Sequence, residues 1–228
     1  NWKLEKTYQY CDDRIATDGV AWALLSGPGR IVWAVNHGCL PIGLERKVTK
    51  SSGNVIYEID GMPVLTVLRE YLVADEIENW QKAIVNLSLG FKAPGEMAAG
   101  YDDYLIRFMP SKDDAAGSVT IPTDVVEGSS VWMTRRDQEK IAAGLDRMGA
   151  EVHEGLAGEP AKVVFQFDCA GRGKVVFRDQ VKTELLRKLQ SSVAPGAPWL
   201  GFYSYGEIGP VAGENHFHNY TAVLMAIA

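Results

Sequence analysis

The 228-residue sequence has few cysteines, and they are not arranged in pairs. Cys11, Cys39 and Cys169 are odd in number and widely spaced, and no CxxC pair occurs. Disulfide frameworks and zinc knuckles need paired, closely spaced cysteines, so the pattern argues against both. Three free thiols are typical of a reducing compartment, and we therefore expect a cytoplasmic location.

Long apolar runs and an excess of basic charge are also missing. No stretch approaches the ~18–20 apolar residues that span a bilayer, and the longest runs, such as residues 19–25, have the length of a strand. The 23 basic and 29 acidic residues are interspersed and leave a net charge of −6. Nucleic-acid-binding proteins usually carry a basic face that neutralises phosphates. We therefore expect neither a membrane nor a nucleic acid as partner.

We expect no targeting segment at the start of the given sequence. It does not begin with Met, and its first residues lack the charged and then apolar pattern of a signal peptide. We expect a piece of a longer protein.

Short β-prone runs and amphipathic helical stretches alternate irregularly along the chain. Strands are predicted at residues 20–25, 31–35, 54–60, 104–109, 118–122, 130–134, 162–168, 199–205 and 220–227. Helices are predicted at residues 62–72, 76–84, 136–149 and 180–189. A Pro-Gly turn separates the first two strands, which predicts an antiparallel hairpin. Because strict βαβ alternation is missing, we predict an α+β (mixed α/β) fold with mixed, largely antiparallel sheets and flanking helices.

Two glycine-rich loops at predicted strand ends carry charged and reactive side chains. In the first, residues 167–173, the planar guanidinium of Arg172 suits a carboxylate. Cys169 in the same loop is a nucleophile only if a base lies nearby, and otherwise it is a small apolar residue or part of a pocket wall. In the second, residues 206–219, Glu207 either faces a pocket and binds an ammonium group or forms an ion pair with Arg172.

The histidines offer a metal or haem site. His216 and His218 alternate, so on a strand their side chains would lie on the same side. Zinc usually takes three or four protein ligands, and the remaining candidates, His37, Cys39 and Cys169, are distant in sequence. Haem needs only one axial His or Cys, so ligand counting leaves haem open. His37 and Cys39 lie on a third loop, whose spacing alone does not form a catalytic dyad.

Several segments resemble FIST domains. Residues 201–227, with Gly-Glu-Ile-Gly-Pro and His-Asn-x-Thr, are similar to the closing motif of the family. Residues 37–43 (HGCLPIG) look like the end of the FIST N-terminal half, and residues 166–172 (QFDCAGR) resemble its strand followed by Cys-x-x-Arg. Further similar segments, in the family's order, are residues 48–50, 53–58, 60–63, 104–107 and 128–131. The ordered set covers nearly the whole chain.

The resemblance implies a sensory input module rather than an enzyme. Residues 1–60 would be the C-terminal tail of the FIST N-terminal half, and residues 61–228 the FIST C-terminal domain. Such a module binds a small molecule such as an amino acid, needs no cofactor, and passes its signal to an output domain or kinase. Haem-containing relatives that sense nitric oxide imply an alternative, a gas sensor, and F-box relatives imply another, a protein-interaction scaffold.

The ligand-sensing hypothesis assigns a role to each candidate residue. Arg172 binds the carboxylate of a zwitterion and Glu207 its ammonium group, while Cys39, Cys169 and Asn219 line the pocket. One cation and one anion on separate glycine-rich strand ends are what a zwitterion requires.

The other hypotheses use different features of the chain. In the haem alternative, His37, His216 or His218 is the axial ligand. The scaffold alternative predicts an exposed apolar patch of several hundred Å². A cysteine-dependent enzyme would require Cys169 as nucleophile.

Overall fold

The structure is a computed structural model that describes residues 6–93, 95, 101 and 104–228. This part of the chain forms two main β-sheets, two separate hairpins and five α-helices, and all its strand pairs but one are antiparallel. The predicted α+β fold with mixed, largely antiparallel sheets and flanking helices is confirmed. None of the described helices is both long and apolar enough to cross a membrane.

The elements are numbered in chain order. The strands are β1 (Gln9–Cys11), β2 (Arg14–Ala16), β3 (Ile31–Asn36), β4 (Cys39–Ser52), β5 (Val55–Ile59), β6 (Met62–Pro63), β7 (Ser88–Lys92), β8 (Tyr104–Arg107), β9 (Ser111–Asp113), β10 (Ser118–Thr120), β11 (Ser130–Arg136), β12 (Val163–Cys169), β13 (Trp199–Ser204), β14 (Glu207–Val211), β15 (Glu214–His218) and β16 (Ala222–Ile227). The helices are α1 (Val64–Leu68), α2 (Ala74–Glu78), α3 (Trp80–Asn86), α4 (Gln138–Gly155) and α5 (Asp179–Val193), with a 3-10 turn at Ala170–Arg172.

The large sheet is antiparallel and has the strand order β8-β7-β11-β4-β5-β10-β9, with β6 also paired to β5. Its longest strand, β4, lies between β11 and β5. Helices α1 and α3 pack against it through apolar side chains. Its core includes Val48, Ile56, Ile59, Val64, Leu68, Ala83, Leu89, Val119, Val131 and Met133.

The small sheet has the strand order β13-β12-β16-β3, and its β12–β13 pair is the parallel one. Helices α4 and α5 cover one face of it. The residues buried between this face and the helices include Ala34, Leu145, Met148, Val152, Val164, Leu189, Val193, Ala222, Leu224 and Ala226.

Helix α4 follows from local sequence signals. The Asp137 side chain accepts a hydrogen bond from the backbone N–H of Lys140 at 2.7 Å, which caps the N-terminus. Ile141, Leu145 and Met148, at three- and four-residue spacing, form the buried face. The helix then runs six residues beyond its predicted end at residue 149, because Val152 continues the same face onto the small sheet.

The opposite face of the small sheet, which we call the outer face, is apolar and partly uncovered. Because side chains alternate along a strand, the residues next to the helix-facing ones in each strand point away from α4 and α5. Four of these outward-pointing residues, Ile31, Trp33, Leu200 and Phe202, are between 44% and 65% exposed. Phe202 packs edge-on against Phe167, with ring centroids 5.2 Å apart.

The hairpin predicted from residues 20–25 and 31–35 is wrong. Residues 20–25 form no strand, and Val20, Trp22 and Leu24 are exposed. Strand β3 pairs instead with β16, across six residue pairs. A Pro-Gly turn signals a local reversal, but it cannot outweigh a distant run of matching length that completes the sheet.

Three other expectations change in detail. The helix predicted at residues 62–72 is reduced to α1, because Met62–Pro63 pairs with β5. The helix predicted at residues 76–84 is split into α2 and α3 at Asn79, whose φ of −106° and ψ of 88° leave the helical region. The glycine-rich segment after β13 is a hairpin of β14 and β15, with a turn at Ala212–Gly213, where both φ angles are positive.

Candidate functional site

A cavity of about 830 Å³ lies where the elements of the two sheets meet. Its walls come from α3, the β8–β9 loop, the end of β11, the end of β12 with the turn that follows, and the β15–β16 link. The lining residues are Gln81, Ile84, Val85, Phe108, Pro110, Arg136, Cys169, Ala170, Gly171, Val175, Tyr205, Asn219 and Tyr220. Small-molecule sites typically enclose ~300–1,000 Å³ and are mostly apolar with a few polar groups, as this cavity is.

Arg136, the last residue of β11, supplies the positive charge of the cavity. Its guanidinium carbon lies 4.4 Å from the ring centroid of Tyr220, a cation–π contact. Its Nη1 donates a hydrogen bond to the carbonyl of Gly171. Within the described part of the chain, no carboxylate forms an ion pair with Arg136, and no Asp or Glu lines the cavity. The cavity wall is therefore cationic at one point and otherwise apolar or neutral.

Asn219 and Tyr220 form the link between β15 and β16 at the cavity. The Asn219 side chain is buried, and its Oδ1 accepts a hydrogen bond from the backbone N–H of Phe108 at 3.3 Å. Tyr220 has a φ of 53°, in the left-handed region that a bulky residue rarely adopts. Its hydroxyl donates to the carbonyl of Ile84 at 2.7 Å, which ties the small sheet to α3. Backbone strain of this kind often occurs at functional sites.

Gly171 leaves the room that Tyr220 and Arg136 occupy. A Cβ atom at this position would lie 2.4 Å from Cδ1 of Tyr220 and 3.0 Å from Nη1 of Arg136. The first distance is too short for any side chain here without movement of the ring. The wall of the cavity therefore depends on glycine at position 171.

The buried thiols are not activated. Burial raises the pKa of the Cys169 thiol to about 12, and the nearby charge of Glu207 adds to this. Burial likewise raises the pKa of Cys39 to about 12, although Arg136 and Arg172 oppose it. Both thiols are protonated at neutral pH, so neither is a ready nucleophile. Cys169 lines the cavity, whereas Cys39 does not.

Arg172 lies away from the cavity, in a buried cluster of charges. It is completely buried, and its Nε lies 3.1 Å from Oδ1 of Asp168. Its Nη1 donates to the backbone carbonyl of Asn36. Lys182 of α5 donates to the other oxygen of Asp168 at 2.6 Å. The carboxylate that Arg172 meets in the structure is thus supplied by the chain itself, four residues earlier, and not by a ligand.

Glu207 lies behind the cavity wall. It is 2% exposed, and its Oε1 accepts a hydrogen bond from the Ser204 hydroxyl at 2.7 Å. The backbone N–H of Thr221 approaches its other oxygen at 3.4 Å, and the Cys169 thiol also hydrogen-bonds to it. Burial raises the pKa of Glu207 to about 7. The described ion pairs do not join Glu207 to Arg172, and Glu207 is not among the residues that line the cavity.

Two of the candidate histidines, His37 and His218, pack against a buried tyrosine. The ring of Tyr101 lies 5.1 Å from that of His37 and 4.6 Å from that of His218, and all three are buried. Burial lowers the pKa of His218 to about 4, so its imidazole is neutral. The rings of His216 and His218 lie 6.4 Å apart on β15.

The cavity offers few ligands for a haem or a metal ion. None of His37, His216 and His218 lines it, and Cys169 is the one cysteine among its described lining residues. The described residues also contain no group of three or more His, Cys, Asp or Glu that could hold a metal. The chemistry of the site is therefore that of a cation and hydrogen-bond donors in an apolar wall.

Of the five predicted ligand-binding residues, the structure brings Cys169 and Asn219 to the cavity, and it places Cys39, Arg172 and Glu207 behind or away from its wall. Arg136 and Tyr220 were missed. The sequence predicts Arg136 as the first residue of a helix, and only the structure shows it as the last residue of β11.

Comparison with known proteins gives two adjoining family matches. Residues 1–62 match the FIST N domain, and residues 65–210 match the FIST C domain. Both sheets combine strands from the two regions, because β3 enters the small sheet and β4 enters the large one. No solved structure gives a significant match.

Several similar proteins cover most of this chain. An uncharacterized protein of Mycobacterium bovis is 33% identical over 224 residues, which are 95% of this chain and 55% of that protein. One from Mycobacterium tuberculosis H37Rv is 32% identical over 221 residues, again 95% and 55%. One from Methanocaldococcus jannaschii is 23% identical over 213 residues, or 90% and 38%. The chain thus spans about half the length of the first of these relatives. It belongs to the FIST family of sensory domains in signalling proteins.

Proposed function

We propose that this FIST module binds a small molecule in the cavity between its two sheets and thereby controls a signalling partner. The observation that carries the proposal is the cavity itself, about 830 Å³ and mostly apolar, with one half-buried cation on its wall. Volume and composition are those of a ligand site. A cytoplasmic location and an output domain or kinase as partner are part of the same proposal.

The position of the cavity provides a way to report occupancy. Ile84 and Val85 belong to α3, which packs on the large sheet, whereas Gly171 and Asn219 belong to the links of the small sheet. A ligand in contact with both sides favours one arrangement of the two sheets over others. Because the ligand binds that arrangement more tightly, it increases the fraction of molecules that adopt it. An output partner then meets a different mixture of the two arrangements.

An amino acid is one candidate ligand, with its carboxylate on Arg136. We further propose that the module binds its ligand without converting it, since both buried thiols are protonated. Incubation of the protein with each ligand that binds, followed by mass spectrometry, should return the ligand unchanged. Appearance of a product would contradict this part of the proposal.

A thermal-shift screen with amino acids, small carboxylic acids and haemin tests the proposal. A ligand at ~100 times its Kd stabilises by ~2.7 kcal/mol, which raises Tm by roughly 5–10 °C for a chain of this size. Val175→Trp, on the cavity wall, should abolish the shift for every ligand that gives one. Val126→Trp is the matched control, because Val126 is 75% exposed and does not line the cavity. A shift that survives Val175→Trp would place the ligand elsewhere.

A second candidate function, the interaction scaffold, is favoured by the outer face of the small sheet. Trp33 at one edge of this face and Leu200 and Phe202 at the other edge are exposed and apolar, which supports this alternative. The outward-pointing positions carry no charge, and such a surface is complementary to itself, as a two-fold interface requires. We therefore propose a second copy of this face as the partner.

Light scattering after size-exclusion chromatography tests this second function. The chain should form a dimer that Phe202→Ser dissociates, whereas Val126→Ser, a change at another exposed apolar residue off the outer face, leaves it intact. A monomer at every concentration contradicts the scaffold proposal and leaves ligand sensing unaffected.

A further inference from the structure

We infer that the ligand of the cavity is a small monocarboxylic acid with an apolar body, bound through its carboxylate to Arg136 and Asn219. The inference rests on the proposed function, since it assumes that the cavity is the ligand site. It narrows the ligand from a small molecule in general to one chemical class, and it excludes a requirement for an ammonium group.

The charge of Arg136 is only partly compensated in the structure. One face of its guanidinium lies against the Tyr220 ring, and its Nη1 is bonded to the carbonyl of Gly171. A guanidinium has five N–H donors in one plane, so most of them remain without a partner among the described residues. None of these free donors is fully buried, so they are open to the cavity, and an anion with two oxygens in that plane can accept from two of them.

The orientation of Asn219 adds a second donor. Its Oδ1 is held by the backbone N–H of Phe108, so the amide nitrogen is the end that is left over. In the described part of the chain that nitrogen makes no hydrogen bond, and it is not one of the fully enclosed polar atoms, so it is open towards the cavity that Asn219 lines. An amide donor on a cavity wall can donate to a carboxylate oxygen of the ligand. The side of Asn219 that faces the cavity therefore favours the same kind of group as Arg136.

The rest of the wall disfavours other charged ligands. Ile84, Val85, Phe108 and Val175 offer apolar contact, and Arg136 is the one charged residue among the described residues that line the cavity. A phosphate or dicarboxylate would bring more negative charge than this part of the wall compensates. None of these lining residues offers a carboxylate to the ammonium group of an amino acid, and Glu207 accepts its hydrogen bonds behind the wall.

Isothermal titration calorimetry with matched probes tests the inference. The probes are 3-phenylpropanoate, its neutral amide 3-phenylpropanamide and the zwitterion phenylalanine, titrated into the whole chain. We expect the carboxylate to bind at least tenfold more tightly than the other two. Arg136→Gln should weaken binding of the carboxylate at least tenfold. The affinity of this variant for the amide should equal that of the wild type. Arg136→Lys, which keeps the charge but not the planar donors, should retain part of the preference.

Arg135→Gln is the matched control, since Arg135 precedes Arg136 and donates to the carbonyl of Tyr71, away from the cavity. It should leave all three affinities unchanged. Equal binding of carboxylate and amide, tighter binding of phenylalanine, or an intact preference in Arg136→Gln would overturn the inference while the cavity remained a ligand site. If none of the probes binds, the inference is overturned as well. The proposed function would still hold if another ligand gave a positive thermal shift and Val175→Trp abolished that shift.

Discussion

Replacing Asp168 with Asn should destabilise the protein by about 3–5 kcal/mol. Asp168 contacts two buried cations, Lys182 at 2.6 Å and Arg172 at 3.1 Å, and all three side chains are at most 6% exposed. Removal of one partner from a buried ion pair leaves uncompensated charge in the interior, which typically costs ~3–5 kcal/mol. Because a domain is stable by only ~5–15 kcal/mol, this is a large share of the total.

The measurement is urea unfolding followed by circular dichroism, with Asp146→Asn as control. Asp146 accepts from Lys188 at the same distance, 2.6 Å, but both side chains are more than half exposed. Exposed pairs contribute ~0–1 kcal/mol, so the control should lose no more than that. If Asp168→Asn costs as little as Asp146→Asn, the buried cluster does not stabilise the fold as we argue.

The pH dependence of the Asp168→Asn variant provides a second check. Burial already lowers the pKa of Lys182, although Asp168 opposes the shift. Without Asp168, Lys182 can escape its unpaired charge by releasing a proton in the folded state. Unfolding then takes up a proton, so the cost of the substitution should grow as the pH falls.

Three further results are expected. The folded pKa of Glu207, about 7, lies above its ordinary value of 4.5, so unfolding releases a proton from Glu207 between these values, and its contribution to stability should fall by about 3 kcal/mol as pH rises from 4.5 to 7. Because the lowered pKa of His218, about 4, acts in the opposite direction, the quantity to measure by urea unfolding is the difference between the wild type and Glu207→Gln; a difference that does not change with pH would exclude this role of Glu207. Gly171→Ala should weaken binding of 3-phenylpropanoate by displacing Tyr220, whereas Gly19→Ala, in open space, should not; equal affinities would show that the ring position is unimportant. In the native protein, the exposed thiol of Cys11 should react with a disulfide reagent far faster than the two buried thiols, and three equal rates would contradict the burial described.

Local signals in the sequence predicted the elements better than their pairing. Helix α4 was found through the spacing of Ile141, Leu145 and Met148, and every predicted strand except residues 20–25 is present within two residues of its expected bounds. The missing strand shows the limit of such signals. Residues 20–25 are as apolar as β3, but β3 pairs with β16, nearly two hundred residues away. No local sequence pattern indicates that pairing.

The candidate site was predicted in part for a similar reason. Glycine-rich strand ends correctly indicated the regions of Cys169 and Asn219, which line the cavity. The pattern did not show that Arg172 would form a buried ion pair with Asp168, four residues earlier at the end of the same strand. The sequence predicts Arg136 as the first residue of a helix, and only its contact with Tyr220, 84 positions later in the chain, reveals its place in the site.

The most direct test of the central claim is an NMR titration of the ¹⁵N-labelled chain with 3-phenylpropanoate. If the cavity is the ligand site, the backbone amides that shift should be those around residues 81–85, 108, 169–171 and 219–220, from both sides of the cavity. Shifts confined to the outer face, around Trp33 and Phe202, or the absence of any shift at millimolar ligand, would contradict the claim.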